Sequence, residues 1–116
     1  MKLINLTPHP VAIYADGDDW TAPPTTVLPP SGMVARVVDS DLGWHQVAHG
    51  AEQVLVTHRE YGRLEGVPPR KEGTQYVVSL VAALAARGRD DLLAPYGEVR
   101  NESGTMVGCR ALQRVC

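Results

Sequence analysis

Short apolar runs, too brief for helices and partly β-branched, dominate the first two thirds of the chain, and such runs read as strands. Lys2–Leu6 and Val11–Tyr14 are the first two, separated by Thr7-Pro8-His9-Pro10. Two prolines around one histidine fix a bend there, because each ring locks its own φ and restricts the residue before it. Ala15-Asp16-Gly17-Asp18-Asp19 reads as a hairpin turn, with Asp-Gly the preferred pair. The four prolines around Thr25-Thr26-Val27-Leu28 confine that segment to an edge strand or a loop, and Pro29-Pro30-Ser31-Gly32 closes it as a turn. Met33–Val38 and Gln53–His58 are further strands, the second continued by Tyr61–Leu64. Asp39–Ala51 between them reads as loop or a short helix.

The period changes after a solvated loop at Gly66–Gly73. Thr74–Val78 is a strand, and Ser79 caps a helix, Leu80–Arg87, that Gly88 stops. Leu80–Ala86 has no polar face. A helix apolar all round must be covered on both sides, by the sheet and by something else, which points to a homo-oligomer assembled through this helix. Leu92–Ala94 is a short strand, and Val99–Arg100 and Thr105–Leu112 flank a four-residue hairpin loop, Asn101-Glu102-Ser103-Gly104. The expected fold is α+β: a single small domain over residues 1–116, mostly antiparallel sheet, with one principal apolar helix at about 79–87.

Composition narrows the partners. At 116 residues, 44% hydrophobic and 21% charged, the chain has room for one ordinary globular domain. A net charge of -2 leaves no basic footprint for long nucleic acid. No apolar run is long enough to span a membrane as a helix, and the apolar stretch at the N-terminus is too short for a signal peptide. Cys109 and Cys116 fall on opposite faces of a strand, which disfavours a bridge. The expectation is a soluble, reduced, cytoplasmic domain.

Candidate chemistry is sparse. His45 and His49 are four apart, as on one helix face, but no Glu lies between them and Gly43 and Gly50 bracket the pair; no metal site and no cofactor is expected. Cys109 reads as buried filler or as a thiol activated by Arg110. No nucleophile elbow, phosphate-binding loop or dinucleotide fingerprint is present. The junction Gly73–Ser79 is the most informative element. Ser79 either only caps the helix or helps its N-terminus hold an anion, and Tyr76 either only packs or stacks on a ring. Arg36 and Arg110 are lone guanidinium groups in apolar strands, so each is either a structural ion pair or a ligand anchor.

Asn5-Leu6-Thr7-Pro8-His9-Pro10-Val11, Pro30–Val37, Gly73–Ala82, Arg89-Asp90-Asp91-Leu92-Leu93 and Gly108–Leu112, taken in order, resemble small phage- and prophage-encoded proteins. That pattern is in turn similar to the Thoeris anti-defence sponges, which bind cyclic ADP-ribose-type immune signals without cleaving them. The resemblance implies a non-enzymatic binder of a small phosphorylated cyclic nucleotide, acting in the host cytoplasm. Arg36, Tyr76, Ser79 and Arg110 are the expected ligand contacts, with Arg89 and Asn101 as further polar candidates. The chain lacks Phe, so stacking falls to Tyr61, Tyr76, Tyr96, Trp20 or Trp44. Two alternatives stand beside this reading: a nucleotide-degrading hydrolase using His9, and a structural or partner-binding phage protein without a ligand.

Overall fold

The computed structural model describes residues 1–14 and 20–116, and the turn expected over residues 15–19 lies outside the described residues. The described elements are β1 (Lys2–Asn5), β2 (Val11–Ile13), β3 (Thr26–Leu28), β4 (Arg36–His49), β5 (Glu52–Glu65), β6 (Thr74–Val77), α1 (Leu80–Ala85), β7 (Leu92–Arg100) and β8 (Met106–Gln113). Six strands form one sheet in the order β1-β6-β7-β8-β2-β3, while β4 pairs with β5 alone. The two ends of the sheet meet: Asn5 bridges to Pro30, and the Ser31 and Ala35 N–H groups donate to the carbonyls of Asn5 and Leu6. The result is barrel-like.

The α+β expectation is overturned. The protein is mostly β, 54% strand against 5% helix. The pairing is mixed: β1–β6, β6–β7 and β2–β8 run parallel, while β7–β8, β2–β3 and the longer β4–β5 pair are antiparallel. The expected helix at 79–87 shrinks to the six residues of α1. Ser79 does cap it, accepting from the Ala82 N–H, but Ala86 has already left helical geometry with φ -122°. The physical reason lies in its task and its exit. α1 sits in the crossover between parallel β6 and β7, and Gly88, at φ 97°, turns the chain toward β7. Arg70 pairs with Asp90, and Arg89 pairs with Asp91, so the exit loop is held immediately after that turn. Arg89 thus pairs two residues on, at Asp91, and leaves its neighbour Asp90 to Arg70.

Alternation along β6 divides the core between two clusters. Tyr76 and Val78 join Leu6, Leu92, Ala94 and the helix residues Ala82 and Ala83, whereas Val77 joins Val11 and Cys109. β3 is an edge strand, as its prolines require.

The largest departure is an arm. The segment Asp39–Ala51, read as loop or short helix, instead belongs mainly to β4, which begins at Arg36 rather than Met33. With β5 it forms a hairpin of two 14-residue strands, turned at Gly50 with φ 61°. The root packs on the body through Val37 and Leu64, and most of the remainder is exposed. The radius of gyration is therefore 17.3 Å, where a compact chain of this length has about 13 Å. No helix is long and apolar enough to cross a membrane among the described residues.

Candidate functional site

The Asn5–Pro10 segment shapes the main concavity. Asn5 is buried, yet all its polar atoms are used. Its Nδ2 donates to the carbonyls of His9 and Leu28 at 2.8 and 3.0 Å, and its Oδ1 accepts from the Thr7 N–H and hydroxyl at 2.8 and 2.6 Å. A buried amide bonded on every side fixes the loop it holds. Pro8 and Pro10 stiffen that loop further. Residues 7–12 thus form one wall of a cavity of about 600 Å³, whose other walls come from the start of α1, from Pro95–Glu98 of β7 and from Met106–Cys109 of β8.

That volume suits a small organic ligand. The lining is chiefly apolar; its polar members are Thr7, His9, Ser79, Tyr96 and Glu98, the last ion-paired with Arg100 at 2.7 Å. Tyr96 is 61% exposed and offers a flat face. Gly97 beside it has φ 77° and lies against the Arg110 stem, where a Cβ would meet Arg110 Cβ at 3.2 Å. Since Ser79 accepts from the Ala82 N–H, its own proton is left to donate to a ligand. Cys109 also lines the cavity, but burial pushes its thiol above the ordinary range. Its Sγ sits 3.6 Å from the Ala12 carbonyl. It is a protonated packing thiol rather than a nucleophile.

The six residues expected as ligand contacts do not converge on one site. Ser79 lines the cavity, and Arg110 packs against one of its lining residues. Tyr76 is only 3% exposed and sits in the core, so it packs and has no free face for stacking. Arg89 is committed to Asp91 at 2.5 Å and to the Pro68 carbonyl at 3.1 Å, tying the loop after β5 to the start of β7. Its hydrogen bonds hold the Asp91 carboxylate below the ordinary carboxylate range. Asn101 accepts from the Ser103 and Thr105 N–H groups and builds the β7–β8 turn. Arg36 opens the arm opposite Glu65. Tyr96, one of the aromatics named from the sequence, is the exposed tyrosine at the cavity; its position between Pro95 and Gly97, which weaken strand packing on either side, is a signal for an accessible ring.

The histidines of the arm are rearranged too. His45 and His49 are not on a helix; His45 Nδ1 lies 2.6 Å from His58 Nε2 across the two strands. Among the described residues no three of His, Cys, Asp and Glu gather as a metal set. No family model, curated protein or solved structure matches the chain.

Proposed function

We propose that the protein is a non-enzymatic binder that sequesters a small cyclic, phosphorylated nucleotide signal in the cavity between the Thr7–Pro10 loop and strands β7 and β8. The observation that carries this reading is the cavity itself, about 600 Å³, with an exposed Tyr96 face opposite a loop held by Asn5. Tyr96 stacks on the base and Ser79 donates to a ligand oxygen. The inert Cys109 thiol and the capping role of Ser79 favour holding over cleaving. The hydrolase alternative rests on His9, which lines the same cavity.

The test combines thermal shift and calorimetry with cyclic ADP-ribose isomers and cyclic dinucleotides, since a ligand bound only by the native state raises Tm. One of these should bind stoichiometrically. Tyr96→Ala should weaken it about tenfold or more, the usual worth of a stacked base. Arg36→Ala, outside the lining, should leave it unchanged. Nucleotide recovered after heat denaturation should be intact. Cleaved product beyond one equivalent per chain would establish turnover, and no shift with any nucleotide would end the binding reading.

A further inference from the structure

The arm's two faces differ in what they carry: the exposed aromatic side chains lie on one and the histidines on the other. Opposed residues of an antiparallel pair share a face, and the register places Val37/Leu64, Asp39/Tyr61, Asp41/Arg59, Trp44/Thr57 and Gln46/Leu55 together. Both irregularities, at Val37/Asp39 and Asp41/Trp44, preserve that facing, because in each case one strand advances by two residues. At the root this face is core: Val37 and Leu64 pack on the body cluster beside α1. Farther out the same face continues past the body, with Tyr61 and Trp44 each 62% exposed and Leu55 57%. The opposite face carries Ser40, Glu60, His45, His58, His49 and Glu52, together with Val56 and the paired Val47 and Val54, 45% and 47% exposed.

We infer that this face is an unfinished core completed by a second copy of the chain. Charge argues for a like partner. From Leu42 to His58 the only formal charge is Glu52, so the outer arm has no basic residue to meet nucleic acid or an anionic membrane. The charges on the inner face are settled internally, Arg59 on Asp39 at 2.6 Å and Asp41 on the Gly43 N–H at 2.9 Å. Area argues the same way. A strand pair of this length offers a face about 45 Å by 10 Å. Together with the exposed Val81 and Leu84 of the adjacent helix, it approaches the roughly 800 Å² that a standard interface takes from each partner. The helix alone falls well short. β5 adds a backbone edge, unbulged from Glu52 to Tyr61 and unpaired among the described residues. Such an edge is a ready template for a two-fold copy.

Sedimentation velocity of the full chain over a micromolar concentration series tests this, and it does not depend on the ligand reading. The expected result is a dimer. Trp44→Lys with Leu55→Lys should shift it to monomer while Cys109 stays protected from thiol reagents, which reports an intact body. The paired change on the opposite face, His45→Lys with His49→Lys, should leave the dimer in place. A monomeric wild type at 100-micromolar concentration (about the top of the series) overturns the inference. So does a dimer untouched by the Trp44/Leu55 change, or binding of the wild type to zwitterionic vesicles as a monomer.

Discussion

Arg89, expected from the sequence as a polar ligand contact, pairs instead with Asp91, two positions on. In the structure the pair clamps the exit of α1, and it makes stability depend on acid. The folded Asp91 carboxylate is held below its ordinary range by the Arg89 hydrogen bonds. The unfolded chain therefore takes up that proton first as pH falls. The contribution is fully present above the ordinary carboxylate pKa of about 4 and is lost as pH falls through the folded value. Asp91→Asn should lower stability by about 1–2 kcal/mol at pH 7, the range for a partly exposed charge-assisted bond. The gap between the two proteins should narrow as unfolding is followed from pH 5 to pH 2. A second residue-scale expectation concerns the two thiols. Cys116 is exposed and Cys109 is 4% exposed with a raised pKa. A disulfide reagent should titrate one thiol in the native protein and two in denaturant. Rapid reaction of both in the native state would contradict the packing around Ala12 and Val77.

At the scale of elements, the Asn5 hub joins β1, the end of β3 and the cavity loop through one side chain. Asn5→Ala should cost about 1–3 kcal/mol, because it removes the bonds from a buried amide to the His9 and Leu28 carbonyls and from the Thr7 N–H. It should also weaken ligand binding more than its distance from the ligand suggests, by loosening the loop wall. Calorimetry on the folded variant measures both. Gly108 is equally constrained: a Cβ there would meet the Ala12 carbonyl oxygen at 2.5 Å and the Tyr14 ring at 2.7 Å. Gly108→Ala should therefore lower Tm sharply, although alanine normally favours a strand over glycine.

Elements of this kind show what was legible. β1, β2, β6, β8 and the Asn101–Gly104 turn were readable because apolar runs there end in Pro, Gly or Asn, where backbone geometry is locally dictated. The Ser79 cap was readable for the same reason. The arm was not. Its strands carry polar and apolar residues on two largely solvated faces, so no single buried face imprints its period, and Gly43 and Gly50 look like breaks. The helix was over-extended because Ala and Leu propensity says nothing about where Arg89 and Asp91 will anchor the next strand. Tyr76 was misplaced as a ligand contact since burial on a parallel strand depends on which neighbours flank it, and β1 and β7 are distant in sequence.

For the whole molecule, the body and the arm divide the surface between two tasks. The cavity is lined from Thr7–Ala12, the start of α1, β7 and β8, with no residue of β4 or β5. Among the described residues, the arm packs on the body core through its root, at Val37 and Leu64. Beyond Ser40/Glu60, the paired positions outside that root, the hairpin is supported by itself and by whatever covers its inner face. A two-stranded hairpin in water is marginal by itself. Replacing Asp41–Arg59 with an Asn-Gly turn, a favoured two-residue hairpin connection, should thus leave the body folded. Its Tm should fall by no more than a few degrees relative to a monomeric Trp44→Lys/Leu55→Lys protein, with Cys109 still protected. Ligand affinity should match that of the intact chain within about threefold, inside the 1.4 kcal/mol that separates tenfold differences. The radius of gyration by solution scattering should drop from the monomer's roughly 17 Å toward the compact value of about 13 Å. Loss of nucleotide binding in this short-armed protein, with the body intact, would mean that the arm reaches the cavity of its own or a second copy. Sequestration and assembly would then be a single property of the molecule rather than two.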